Sequence, residues 1–131
     1  MKGKTIVFST LFCVASSMSF SANASIEAAL ANICNIVKTD DKSELRKKMK
    51  SVRNDFKLKL GDYYEGISCN GNSLIRTALL SEALNTGTLL VKKMPKSKLN
   101  KPEVDGIKLS DWIAQKGLDS SPIAQVVSER L

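Results

Sequence analysis

Apolar residues recur every three or four positions in several separate segments of the chain, which is the spacing of amphipathic helices. The first stripe after residue 25 consists of Ile26, Ala29, Leu30, Ile33, Cys34 and Val37. Turn residues follow at 39–41, and the second stripe consists of Leu45, Met49, Val52 and Phe56. Asp41 and Glu44 have the D-x-x-E spacing of a capping box, so the second helix should begin after Asp41. The short connection predicts an antiparallel helical hairpin.

Two further helix pairs are indicated downstream. Ser73 is expected to cap a helix, residues 86–88 (TGT) to interrupt the helical pattern, and Pro95 to stop the segment that resumes at Leu89. In the third pair, Ser110 is expected to cap a helix that carries Trp112 in the core and ends at Gly117. Ser121 and Pro122 then form the start signal of the last helix. The sequence therefore predicts an all-α fold, a short stack of about three helical hairpins.

Two glycine-bearing segments separate these pairs. Residues 60–72 contain Gly61, Gly66 and Gly71, and they are expected to form a long extended finger or loop. Tyr63 and Tyr64 lie in this segment, where we expect one ring to be exposed and the other to pack down. Residues 95–108 carry two prolines and one glycine and are expected to form a second loop.

The N-terminal residues have the composition of a secretory signal peptide. Lys2 and Lys4 precede a short apolar run over residues 5–15, and Ala22-Asn23-Ala24 has the small-x-small pattern of a cleavage site. We therefore expect residues 1–24 to be removed and residues 25–131 to form a single exported domain, periplasmic or secreted. An uncleaved anchor is the alternative, which the short apolar run disfavours.

Export bears on the cysteines, because disulfides persist in oxidising compartments. After cleavage, Cys34 and Cys69 are the two remaining cysteines, so a single intramolecular bond can form between them. The alternative is two buried free thiols. Two thiols are too few ligands for a metal site in a chain without histidine, so neither a metal nor another cofactor is expected.

The composition argues against catalysis. Because the chain contains no histidine, Ser73 and Ser110 have no imidazole to activate them as nucleophiles. The acidic pairs Asp62 with Glu65, and Asp105 with Asp111, have the residue type of glycosidase carboxylates but are more simply turn and cap residues. We therefore expect that the protein is not an enzyme. A small hydrolytic enzyme is the least favoured hypothesis.

The net charge of +7 is concentrated in one segment. Residues 46–59 contain seven basic side chains: Arg46, Lys47, Lys48, Lys50, Arg53, Lys57 and Lys59. A cationic helix face next to aromatic anchors predicts a partner with an acidic surface. The residues expected to bind this partner are Arg46, Lys47, Lys50, Arg53, Lys57, Tyr63 and Tyr64. The competing interpretation is a solvated helix face.

Three segments of the chain resemble ankyrin repeats. Residues 71–78 (GNSLIRTA) keep the glycine, the hydroxyl two positions on, the aliphatic residue and the alanine of the repeat's opening. Residues 105–114 (DGIKLSDWIA), with Gly117, resemble a further repeat, and residues 26–56 resemble an N-terminal one reduced to its helix pair. Glycines 71 and 106 are 35 residues apart, close to the repeat length. No Thr-Pro-Leu-His stretch is intact, and residues 57–72 are longer than an ankyrin hairpin.

The resemblance implies a protein-binding module that presents a concave face, and an inhibitor or immunity protein is a special case of it. The chain also resembles small exported proteins of Gram-negative bacteria without an assigned function, which implies a compartment but no activity. The alternative function is a cationic envelope protein that binds lipopolysaccharide or anionic lipid. The signal peptide argues against nucleic acid as a partner.

Overall fold

The computed structural model describes residues 26–131, and this part of the chain is all-helical. Its helices are α1 (Ile33–Lys38), α2 (Lys42–Phe56), α3 (Leu60–Tyr63), a 3₁₀ helix (Tyr64–Gly66), α4 (Leu74–Leu80), α5 (Leu84–Lys93), α6 (Lys96–Leu99), α7 (Leu109–Gln115) and α8 (Pro122–Arg130). Residues 26–29 form a further helical turn. The predicted signal peptide and its cleavage site after Ala24 lie outside the described residues. Within residues 26–131, no helix is long and apolar enough to cross a membrane.

Local capping explains where several helices begin. The Asp41 side chain accepts a hydrogen bond from the Glu44 backbone N–H, Ser73 accepts from Arg76 N–H, and Ser121 accepts from Ile123 N–H. Each bond satisfies one of the backbone donors that the first turn of a helix leaves unpaired. These three starts are confirmed. The predicted start at Ser110 is wrong, because α7 begins at Leu109 with Lys108 at the N-cap.

The helices form three successive pairs. The pairs α1–α2, α4–α5 and α7–α8 each pack together, and their connections are short. The first pair contacts the middle pair through α1 against α4 and α2 against α5, and α8 packs against α5. The middle pair therefore contacts both of the others, and the predicted all-α class is confirmed for the described residues.

The core runs through all three pairs. Its fully buried side chains include Val37 and Leu45 from the first pair, Leu74 and Leu90 from the second, and Ile123 from the third. Trp112 is 5% exposed, which confirms its predicted place in the core.

The middle pair is divided at a different point from the one predicted. Helix α5 runs without interruption through residues 86–88, and the chain turns instead at residues 81–83, where Glu82 adopts a φ of 53°. Asp40 supports the start of α5, because its carboxylate accepts hydrogen bonds from Thr86 N–H at 2.8 Å and from the Asn85 amide at 2.9 Å. The N-cap role at α5 is thus taken by a residue 46 positions away.

The predicted finger at residues 60–72 is wrong for its first half. Helix α3 and the 3₁₀ helix occupy residues 60–66, and α3 packs against α5. The Lys98 amine donates a 2.7 Å hydrogen bond to the Gly61 carbonyl, which fastens this segment to α6. The second half is a tight turn in which Cys69 and Asn72 exchange backbone hydrogen bonds across Gly71. The predicted loop at residues 95–108 likewise contains a helix, α6.

The predicted Cys34–Cys69 disulfide is confirmed. It joins α1 to the turn that precedes α4, across a sequence separation of 35 residues. The disulfide therefore adds a covalent link between the first and second helix pairs, in addition to the contacts between their helices.

Candidate functional site

Cations surround a groove between α2, the segment at residues 58–63 and the end of α5. The groove has a volume of about 320 Å³ and is called the basic groove below. Its basic lining residues are Arg46, Lys50, Arg53, Lys59 and Lys93. Its apolar lining residues are Met49, Leu58, Leu60 and Tyr63. No acidic side chain of residues 26–131 lines it.

Helix periodicity brings the first three cations together. Positions 46, 50 and 53 are separated by four and three residues, so they share one side of α2. Lys57 then ends the helix in the left-handed region, with a φ of 59°, and the chain turns back so that residues 58–60 form the next wall. Lys93 is the last residue of α5, and it reaches the same groove because α5 packs against α2.

The charge of the basic groove is uncompensated. Among residues 26–131, no carboxylate lies within 4.0 Å of the charged groups of its five cations. All five residues are exposed, so their side chains are free to reorient towards a bound anion. Clefts lined by charges of one sign concentrate the electric field and raise the local concentration of oppositely charged groups.

The floor of the groove is apolar, and two of its four residues are buried. Leu60 is 3% exposed and Tyr63 is 7% exposed, while Met49 and Leu58 are half-buried. Burial, with a smaller contribution from the Asp62 charge, raises the pKa of Tyr63 to about 12. The phenol is therefore neutral at physiological pH.

The structure brings together four of the seven residues that the sequence analysis selected for partner binding. Arg46, Lys50, Arg53 and Tyr63 line the basic groove. Lys47 does not line it and forms an exposed ion pair with Glu44, N to O distance 3.5 Å. Lys57 does not line it either, and its amine donates to the Asn54 carbonyl at 3.2 Å.

Tyr64, the remaining residue, lies in a different environment. The expectation of one exposed tyrosine is wrong, since Tyr64 is 4% exposed and Tyr63 is also buried. The Tyr64 hydroxyl donates to the Glu103 carboxylate at 2.8 Å and lies 2.9 Å from Ser73 Oγ. Burial, followed by the charge of Glu103, raises the pKa of Tyr64 far above its usual range. Tyr64 therefore belongs to the packed interior.

Arg76 is the centre of the same buried network. Its Nε lies 2.8 Å from Glu103 Oε1, and its two terminal nitrogens donate to Asp105 at 2.7 and 3.1 Å. A further bond of 3.1 Å goes to the Ile107 carbonyl, and the guanidinium lies 5.0 Å from the centre of the Trp112 ring. Burial opposes the charged form of Arg76, but Asp105 and Glu103 together raise its pKa.

The network has a second consequence at Asp105. Hydrogen bonds from Arg76 and from the Ile107 backbone N–H hold the pKa of Asp105 below its usual range. Asp105 therefore joins the turn before α7 to α4, and its pairing with Asp111 as catalytic carboxylates finds no support in these contacts. The local sequence carries no signal for this role of Arg76, because both its acidic partners lie 27 or more residues away.

Lys59 and Lys93 were also missed as groove residues. Lys59 belongs to the basic cluster in the sequence, so its spacing carried a signal. Lys93 lies 34 residues beyond it, and only the packing of α5 against α2 reveals its place.

Comparison with known proteins gives a family without an activity. No curated protein and no solved structure matches the chain significantly. A family model described as protein of unknown function, DUF3718, matches residues 33–101, which include α1 to α6 and the whole of the basic groove. Since this match covers more than half of the sequence, the chain belongs to the DUF3718 family.

Proposed function

We propose that the protein is an exported, non-enzymatic binding module that holds an acidic partner protein in the basic groove. The observation that carries this proposal is the lining of the groove. Among the described residues it consists of five cations that form no ion pair and an apolar floor, without a carboxylate. Such a site fits a segment that offers an apolar side chain flanked by Asp or Glu.

The two parts of the groove have different roles in this proposal. Exposed cations contribute little affinity individually, but together they steer an acidic partner and raise the association rate. The apolar floor supplies the contact that holds the partner after encounter. Truncation of a well-packed anchor residue in such a position weakens the binding free energy by more than about 2 kcal/mol.

A protein partner is favoured over a lipid surface by the position of the apolar groups. Proteins that lie on a membrane insert exposed apolar side chains between the lipids. In the basic groove the apolar residues are recessed, with Leu60 and Tyr63 buried, and the cations form the rim. The exposed large apolar residues Leu80, Leu84, Val104 and Leu131 all lie outside the groove.

Export is supported by the composition of residues 1–24 and by the Cys34–Cys69 bond, which is typical of oxidising compartments. We place the protein in the periplasm on these two grounds. An ankyrin-like stack is supported by the order of the pair contacts and by Gly71 and Gly106. Both glycines have a positive φ, of 86° and 82°, in turns before the first helix of a pair.

The test uses charge reversal at matched positions of α2 and its C-cap residue. A partner is first recovered from periplasmic extract on the immobilised protein, and its binding kinetics are then measured at low and raised salt. Arg46→Glu with Lys50→Glu should slow association about tenfold or more at low salt. The control is Lys47→Glu with Lys57→Glu, which makes the same change in net charge outside the groove. Leu58→Ser should chiefly accelerate dissociation.

Three outcomes would overturn the proposal. The first is an equal effect of the two charge reversals on the association rate. It would mean that the net charge of the protein, and not the groove, controls association. The second is a recovered partner whose contact surface is not acidic. The third is binding of the protein to vesicles of anionic phospholipid that is abolished by Arg46→Glu with Lys50→Glu, when no protein partner depends on these residues. That result would favour the envelope-binding alternative.

A further inference from the structure

A second cavity lies between the turn at residues 67–73 and the turn at residues 102–105, with a volume of about 200 Å³. It shares a wall with the basic groove, because Gly61 and Tyr64 line this cavity while Leu60 and Tyr63 line the groove. Cavities that bind drug-sized molecules measure roughly 300–1,000 Å³. This cavity is smaller and therefore suits a short chain or a single side chain.

Both cations that line the cavity already have partners. Arg76 is held by Glu103, Asp105 and the Ile107 carbonyl. The amine of Lys98 donates to the Gly61 carbonyl at 2.7 Å. Neither group therefore offers its charge to an incoming anion without first breaking a bond within the protein.

The carboxylates of the cavity outnumber these cations. Glu65, Glu103 and Asp105 line it, which gives three negative charges against two positive ones. Glu103 and Asp105 are both paired with Arg76, so the unpaired charge of the lining is that of Glu65. Glu65 is exposed, and within the described part of the chain it forms no ion pair. Glu103 Oε2 accepts one hydrogen bond, from Tyr64, and a carboxylate oxygen has room for a second. The acceptors that remain for a cation are therefore the Glu65 carboxylate and the second lone pair of Glu103 Oε2.

The rest of the lining is apolar. Ile67, Met94, Pro102 and Val104 contribute to it, and Val104 is 81% exposed. An apolar side chain so open to water gains from any ligand that covers it. The network of Tyr64, Glu103 and Arg76 is fixed by its own hydrogen bonds, so binding would require little reordering of this wall.

We propose that this cavity binds a primary alkylammonium group, with the ammonium at Glu65 and Glu103 and the alkyl chain against Val104 and its apolar neighbours. The group is either that of a free small amine or that of a lysine side chain on a partner protein. The site is separate from the basic groove and has the opposite charge preference, so it does not depend on the proposed function.

The test compares three probes of equal length. Pentylamine is fully protonated at pH 7, 1-pentanol is neutral and pentanoate is anionic, and each is titrated into the protein by NMR. We expect pentylamine to bind about tenfold tighter than 1-pentanol, pentanoate to bind weakest, and the backbone shifts to occur around Tyr64 and Val104. Equal binding of pentylamine and 1-pentanol, shifts centred on the basic groove, or no saturation by pentylamine would overturn the proposal.

A pair of variants tests the role of charge without disturbing the fold. Glu65→Gln should weaken pentylamine binding about three- to tenfold, and the thermal midpoint should stay unchanged because Glu65 has no described ion pair. Glu129→Gln removes another exposed carboxylate, one outside the cavity, and should leave binding unaltered. Equal effects of the two variants would refute the assignment.

The source of the group is distinguished by a competition experiment. N-acetyl-lysine methylamide and its norleucine counterpart, which lacks the amine, are each added to the pentylamine complex. Displacement by the lysine compound alone upholds the site and points to a lysine side chain of a partner. Failure of the lysine compound while pentylamine still binds upholds the site for a free amine. Displacement by both compounds equally contradicts an ammonium site.

Discussion

Gly87 lies inside α5 at a place where the backbone of that helix approaches two neighbours. A β-carbon added there would lie 2.7 Å from Ile123 Cδ1 and 3.1 Å from Ala78 Cβ. Alanine favours a helix over glycine by about 1 kcal/mol, but overpacking of a core costs about 1–3 kcal/mol. The difference between these two effects means that Gly87→Ala should lower the free energy of unfolding by up to about 2 kcal/mol, measured by urea denaturation. Gly66→Ala is the control, because no described atom beyond its two chain neighbours lies within 4 Å of its added carbon. Equal effects of the two substitutions would contradict the close approach at Gly87.

The residues whose roles were predictable are those that act on their own neighbours. Asp41, Ser73 and Ser121 cap helices through backbone groups two or three positions away, so the local sequence contains the whole interaction. Gly87 was read as a helix break because a glycine inside a helix is locally unfavourable. Glycine stands at this position because Ala78 and Ile123, which belong to other helices, lie close to the place that a β-carbon would occupy. The true turn at Glu82 has a left-handed residue that is not glycine, and it therefore carried no local signal.

At the scale of elements, the segment from α3 to the turn at Gly71 is held by distant groups. The disulfide to α1 and the Lys98 hydrogen bond are the two ties already described. In the chain-entropy model, a bond that closes a loop of this length stabilises the fold by about 3–4 kcal/mol. We expect Cys34→Ser with Cys69→Ser to lower the free energy of unfolding by about 2–4 kcal/mol, measured by urea denaturation. A reducing agent should destabilise the parent protein to the same level and leave the double variant unchanged. Equal stability of the parent and the variant would contradict this role.

The same segment contains helices that the sequence pattern did not predict. Three glycines within twelve residues indicated a loop, and neither a period of two nor one of 3.6 opposed that reading. Its helices form because Leu60, Tyr63 and Tyr64 are buried against other parts of the chain. The helix pairs, in contrast, were predictable because their apolar stripes have a helical period throughout. For the basic groove, periodicity grouped Arg46, Lys50 and Arg53, whereas Lys93 required the packing of α5 against α2.

At the scale of the whole molecule, the three helix pairs are connected by more than their packed faces. Asp40 joins the first pair to the start of α5, and the disulfide joins the same pair to the turn before α4. Arg76 of the middle pair reaches Asp105 and Ile107 in the turn before the third pair. Each junction thus contains a bond between residues at least 29 positions apart. We infer that the described part of the chain unfolds as one cooperative unit.

The junction between the middle and last pairs depends on pH in a definite direction. The pKa of Asp105 is held below that of a carboxyl in the unfolded chain, first by the hydrogen bond from Arg76 and then by the Ile107 N–H. A group whose pKa is lowered by folding stabilises the fold above its unfolded pKa, which is about 3.9 for aspartate. That contribution is lost as the pH falls from this value through the lower pKa of the folded protein.

Asp105→Asn tests this linkage, because asparagine keeps the shape of the side chain and has no titrating group. We expect the parent protein to be more stable than Asp105→Asn at pH 6, and the difference to shrink progressively as the pH is lowered from 5 to 2. The measurement is urea unfolding followed by Trp112 fluorescence, since that ring contacts the Arg76 guanidinium and belongs to the third pair. Asp111→Asn, an exposed aspartate on α7, is the control and should show no such narrowing. A stability difference for Asp105→Asn that stays constant across this range would show that the junction does not rest on the ionised Asp105.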